Sequence, residues 1–236
     1  MERDELYNAV REKEGMLSTA FPALMSKVYT WMTLAMVITG MTAYGFAATG
    51  LTLTIISNSV LFWGLIIAEF ALVMGVSSAI NRISLTTATL MFILYSAING
   101  AMLSTIFYAF TMGSIASVFF ITAATFGVMA TIGYFTKSDL TSLGKIMFMA
   151  LIGLIIATVV NLFMHSSGLD LIISYVGVLV FVGLTAYDSQ KIKKMLAQCD
   201  DVNEESQKLA LMGSLELYLD FINLFLYLLR IFGDRK

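Results

Sequence analysis

The sequence predicts an all-α integral membrane protein that crosses the bilayer seven times. Two observations carry this expectation. Hydrophobic residues make up 58% of the 236-residue chain and charged residues 13%, and the mean hydropathy is +0.85, a balance suited to lipid and not to water. Apolar runs also recur along almost the whole chain, each long enough to cross a hydrocarbon core of about 30 Å at roughly 1.5 Å per residue.

The runs cover residues 28–48, 57–79, 85–110, 114–135, 143–164, 169–187 and 209–229. Thr, Ser and Asn interrupt 51–59, so the second run has the least defined start. Most of the length is spent crossing the bilayer, so one bundle over 28–236 is expected and no separate soluble domain. Residues 1–27 mix acids and bases and lack a cleavable signal pattern, which predicts a retained cytoplasmic leader. The single proline, Pro22, precedes the first run, so no proline kink is expected inside the bundle. Many Gly, Ala, Ser and Thr residues allow close helix contact where lipid supplies no hydrophobic drive, and the sixteen Met residues read as adaptable packing.

Lys and Arg set the orientation, because positive residues near helix ends stay on the cytoplasmic side. The leader has Arg3, Arg11, Lys13 and Lys27, and the connections after the second, fourth and sixth runs carry Arg82, then Lys137 with Lys145, then Lys191, Lys193, Lys194 and Lys208. The connections after the first, third and fifth runs carry none. The N-terminus is therefore expected inside and the C-terminus outside, which puts Arg230, Arg235 and Lys236 on the disfavoured side. Two options follow: the last segment is held by contacts with the bundle, or it stops short of a full crossing.

Ionisable residues at membrane depth are few: Glu69 in the second run, Asp188 closing the sixth, and Glu216, Asp220 and Arg230 in or at the end of the last. Each would be unfavourable in hydrocarbon, so each should pair, face the bundle interior or touch water. Pairing by sign predicts one salt bridge between Arg82 and Asp188 and a second between Glu69 and Arg230. Glu216 and Asp220 lie four apart and share a helix face. With Asp188 on the same stripe, such acids could hold a proton between carboxylates and act as a pH sensor. Deprotonated, they form a set of hard oxygens suited to Ca2+, and the same acids would equally serve protons. The alternative is that they only pin the last two helices together.

Catalytic readings find little support. The chain has one His, His165, and one Cys, Cys199, and it lacks the zinc-protease, phosphate-loop and nucleophile-elbow motifs. Cys199 alone makes no disulfide within the chain, and His165 reads as interfacial. Asp188 and Asp220 superficially suit an intramembrane aspartyl protease, but the Gly-x-Gly-Asp setting is missing. A retinal protein needs a Lys in the last helix, and 209–229 has none. A net charge of -2 with no basic face speaks against nucleic acid.

Two segments carry a resemblance to a known family. They are Gly183-Leu184-Thr185-Ala186-Tyr187-Asp188-Ser189-Gln190-Lys191-Ile192, and Leu217-Tyr218-Leu219-Asp220-Phe221-Ile222-Asn223-Leu224-Phe225 followed by Leu228-Leu229-Arg230. With them the chain resembles the transmembrane Bax inhibitor motif (Bax inhibitor-1-like) family, specifically its short bacterial members. The resemblance implies a bundle whose last helix is central and wrapped by the other six. It implies a calcium leak of a bacterial cytoplasmic membrane with no catalytic turnover and no permanently bound cofactor. Asp188 and Asp220 would be its pH-sensitive, Ca2+-facing pair, Arg82 the switchable partner of Asp188, and Glu69 with Arg230 the second ion pair. On that basis Arg82→Ala should increase leak. Glu216 departs from the pattern by adding an acid. Some bacterial relatives are associated with control of a membrane-anchored ATP-dependent protease, which suggests a regulatory binding protein as the alternative, with the leader as its contact.

Overall fold

The computed structural model describes the backbone of residues 2–236 and the side chains of residues 20–236. Among the described residues the helices are α1 (Glu2–Thr49), α2 (Leu51–Ser57), α3 (Ser59–Ala79), α4 (Leu85–Leu103), α5 (Ile106–Ala109), α6 (Met112–Phe135), α7 (Thr141–Met164), α8 (Ser167–Leu196) and α9 (Glu204–Phe232). Seven stretches are long and apolar enough to span a membrane, one each in α1, α3, α6, α7, α8 and α9 and one covering α4 with α5.

The connections supply their own caps. Side-chain oxygens of Asn58, Ser84, Thr111, Ser166 and Asn203 accept amide hydrogens at the starts of α3, α4, α6, α8 and α9, satisfying donors that a helix start leaves free. Asn58 also resolves the interrupted stretch 51–59. Gly50 turns the chain in the left-handed region at φ 77°, α2 follows, and Asn58 restarts the helix. The break after α4 is held by Thr52 Oγ1, which donates to Ser104 Oγ at 2.7 Å.

Three boundaries differ from the sequence reading. The first span is Ala20–Thr49, so Pro22 lies inside α1 and near the start of that span. Pro22 itself is exposed, beside the buried face formed by Leu24, Met25 and Val28. α8 continues nine residues past Tyr187, because Ile192 and Leu196 keep an apolar face that is fully buried. Asp188 is therefore an interior residue of a helix and not its end. α9 begins at Glu204, where Asn203 caps it.

α9 is the most enclosed span: 67% of its apolar window is buried, against 6% for α3 and for α7. It packs directly against α8, α1, α6 and α4, whereas α3 rests on α4 and α2, and α7 rests on α8. Small residues set the closest crossings. Gly133 of α6 meets the backbone of Ala186 on α8, where a Cβ would lie 2.8 Å from the carbonyl carbon of Ala186.

The α3–α4 turn with Arg82, the α6–α7 connection with Lys137 and the start of α9 with Lys208 lie at one end of the bundle, the basic end, where the Leu85 amide donates to Glu204 and Lys194 pairs with Asp139. At the opposite end the C-terminal residues are tied down. The Thr111 amide donates to Asp234 O at 3.1 Å and the Lys236 amide to Ala109 O at 3.1 Å, and the Asp234 amide donates to Ser114 Oγ at 2.8 Å. Of the two options left by the charge pattern, the contacts of 234–236 with the α5–α6 connection match the first.

Candidate functional site

The site starts from how one turn of α8 is anchored. Ser189 Oγ donates to Ala130 O at 2.8 Å, and Lys193 Nζ donates to Tyr134 O at 2.7 Å while lying 4.7 Å from the Tyr134 ring centre. Gln190 bridges the α6–α7 connection, with Nε2 donating to Ser138 O at 2.8 Å and Oε1 accepting the Leu140 amide at 2.9 Å. Lys194 pairs with Asp139 at 2.8 Å. These four side chains occupy one side of the helix, so the helical period turns Asp188 and Lys191 to the other side, toward α9.

Asp139 lies between the spans. Its hydrogen bonds from Lys194 and then Thr141 hold its carboxyl down from 3.8 to about 2. The folded-state value is below the ordinary one, so whatever the contact contributes is present above pH 3.8 and is lost as pH falls through about 2. Titration of Asp139 by carboxyl NMR should show a midpoint near 2, and replacing Lys194 with Met should move it back up toward 3.8.

On α9, Glu216 and Asp220 meet the face carrying Asp188 and Lys191. Lys191 Nζ lies 2.7 Å from Glu216 Oε1 and 4.0 Å from Asp188 Oδ1. The carboxyl groups of Asp188 and Asp220 are neighbours in the lining of one cavity. Only a protonated carboxyl can donate, so a hydrogen bond between the two would need a proton on one of them. Asp220 is 4% exposed, and its Oδ2, like Glu216 Oε2, has no hydrogen-bond partner. Buried oxygens without partners are costly unless something else meets them.

That something has room. A cavity of about 1040 Å³ runs along the exposed side of α9 and is lined by Asp188, Glu216 and Asp220 on one side and Glu69 on the other. Glu69 Oε1 accepts from Asn99 Nδ2 at 3.2 Å. Asn99 Oδ1 accepts from the fully buried Tyr218 hydroxyl at 3.1 Å, and that hydroxyl lies 2.6 Å from Thr39 Oγ1. A polar chain thus leads from the cavity into the centre of the bundle.

Of the two expected salt bridges, neither is present. Arg82 is exposed in the α3–α4 turn and makes no ion pair among the described residues. The cation beside Asp188 is Lys191, which the continued helix brings within one turn. Arg230 pairs with Asp170 at 3.8 Å, because the last turn of α9 and the first turn of α8 meet at the same end. Glu69 instead faces Asn99 across α3 and α4. Asp188, Asp220 and Glu216 do come together. No group of three or more His, Cys, Asp or Glu side chains is arranged to hold a metal ion among the described residues, so the Ca2+ expected at Asp188 and Asp220 has no closed cage there. His165 is exposed at the end of α7, and Cys199 is a half-buried free thiol.

A sequence model described as "Inhibitor of apoptosis-promoting Bax1" matches residues 22–236. The chain belongs to the Bax inhibitor-1 family. The inner membrane protein YbhL of Escherichia coli K12 is 47% identical over 214 residues, covering 90% of this chain and 92% of the relative. A protein of Borreliella burgdorferi is likewise 47% identical, over 213 residues, and RP147 of Rickettsia prowazekii is 42% identical over 223 residues. This Bax inhibitor-1 family member, with its seven apolar spans, is accordingly a multi-pass membrane protein, and the Escherichia coli relative is named as an inner membrane protein.

Two residues of the site in this family member were not singled out from sequence. Lys191 falls beside Asp188 at a three-residue spacing once the helix is continued past Tyr187. Asn99 is the sole Asn within 85–110, and a lone amide in an apolar run is a signal for interhelical hydrogen bonding. Replacing Lys191 with Met should lower thermal stability by about 1 kcal/mol at neutral pH, since the lysine is partly exposed and screened. Melting curves of the two proteins in one detergent read the loss.

Proposed function

We propose that this protein is a pH-sensitive cation leak, with Ca2+ as its ion. The observation that carries the reading is the placing of Asp188 and Asp220 side by side on the wall of a cavity of about 1040 Å³, with unpartnered oxygens on Asp220 and Glu216. Carboxylate oxygens are the hard ligands Ca2+ prefers, and two to four of them with water complete a transient shell, as a conduction step needs. A proton held between Asp188 and Asp220 competes for the same oxygens, so protonation and cation passage exclude each other at this point. The charged groups lining the cavity are Glu69, Asp188, Glu216 and Asp220 against Lys145 and Lys191, which favours a positive occupant.

In this reading the basic end is cytoplasmic and the membrane is the bacterial cytoplasmic membrane. The single cysteine offers a direct check. Burial, together with Asp200 and Asp201, pushes the Cys199 thiol up, so labelling is slow at neutral pH and speeds as pH rises. A membrane-impermeant maleimide should leave Cys199 unmodified in intact cells and modify it in inverted vesicles; the reverse pattern overturns the orientation. Arg82→Ala is expected to leave the pH profile of flux in place, because Lys191 is the cation at Asp188. The regulatory reading rests on the leader, and the side chains of 1–19 lie outside the described residues. The leak itself is tested by Ca2+ entry into proteoliposomes, where flux no greater than that of empty liposomes would refute it.

A further inference from the structure

The cavity has a second property that cation leakage does not use: it is bordered by exposed apolar side chains of two membrane-spanning helices, α3 and α7. α3 and α7 form its two walls, yet α3 packs mainly on α4 and α2, and α7 mainly on α8. On the rim, Phe70 of α3 is 68% exposed, and Phe148 and Met149 of α7 are 59% and 66% exposed. In a membrane these side chains meet lipid tails. The floor, by contrast, carries Asp220, which is 4% exposed with Oδ2 unpartnered, and Glu216, whose Oε2 is also unpartnered. A site with an apolar, lipid-facing entrance and buried carboxylate oxygens at its floor selects a ligand of matching shape and charge.

We propose that the cavity binds an amphiphilic cation, a protonated amine carried on an apolar body, which enters from the bilayer between α3 and α7. The ammonium donates hydrogen bonds to the free oxygens of Asp220 and Glu216, and the apolar body lies between Phe70 and Phe148. A neutral lipid tail could fill the same volume but would leave those oxygens unmatched, and an anionic headgroup would meet four carboxylates against two lysines. The volume of about 1040 Å³ is sufficient for an occupant of this kind. This binding does not depend on the leak, because it is read from the apolar rim and the orphan oxygens and not from conduction.

The test uses the full chain in lipid nanodiscs without added Ca2+, labelled with hexadecylamine carrying a diazirine or with the matching diazirine hexadecanol. Crosslinked peptides are identified by mass spectrometry. The amine is expected to label the rim of α3 and α7 around Phe70, Phe148 and Met149 about tenfold more than the alcohol, as one charge-assisted hydrogen bond implies. Unlabelled hexadecylamine should compete it away. Glu216→Gln and Asp220→Asn should each remove the preference for the amine while leaving alcohol labelling unchanged, which also reports that the variants are folded. Equal labelling by amine and alcohol, labelling confined to the outer surface, or an amine preference that survives both substitutions would overturn the proposal. None of these outcomes depends on Ca2+ flux.

Discussion

Gly133→Ala is expected to destabilise the protein by about 1–3 kcal/mol, the usual cost of forcing an extra methyl into a packed contact. Position 133 lies against the Ala186 backbone, which has no side chain to swing aside: the carbonyl carbon would sit 2.8 Å from the new Cβ, and the carbonyl oxygen still closer. α8 has to move away from α6, and Ser189 then loses its 2.8 Å bond to Ala130 O. Since Asp188 follows two residues after Ala186, the displacement reaches the acidic site. Gly127→Ala on the same helix is the control, because a Cβ there meets nothing within 4 Å, and the gain in helix propensity makes it neutral or slightly stabilising. Melting temperatures of the two variants in one detergent separate a specific crossing from a general effect of alanine.

Asp220→Asn carries the largest expected functional effect. An amide keeps the volume and both polar atoms but cannot share a proton with Asp188, nor present a charge to a cation. A single charge at about 4 Å contributes on the order of 1 kcal/mol in water and several times that near a protein. Ca2+ flux should therefore change on the order of tenfold at the most permissive pH, and its dependence on pH should flatten. Thermal stability should hold or rise, since an uncompensated buried carboxyl is removed. A variant that melts lower and conducts normally would mean that Asp220 serves packing and not conduction.

Much of this arrangement was legible in the sequence. The seven spans follow from run length alone, the shared face of Glu216 and Asp220 follows from helical spacing, and the pairing of Asp188 with Asp220 is what the family resemblance implies. What could not be read were the partners. The charge run after Tyr187 reads as a helix end, yet Ile192 and Leu196 carry the helix on, and only then does Lys191 fall beside Asp188. Pairing by sign matched Glu69 with Arg230, because sequence gives depth along a helix but not its rotation. Rotation turns Glu69 to Asn99, and Arg230 meets Asp170 at the shared end. The cavity too depends on an absence that no sequence pattern encodes, the lack of close packing between α3 and α7.

The central claim is most directly tested by Ca2+ entry into proteoliposomes of the purified protein stepped across about pH 5 to pH 8, a window that brackets carboxyl groups displaced by a partner. Asp188→Asn and Asp220→Asn are measured beside it at matched protein density. The account predicts flux above empty liposomes that varies with pH in the native protein and loses that variation in both variants. Unchanged pH profiles in both variants, or no flux above empty liposomes at any pH, would contradict it.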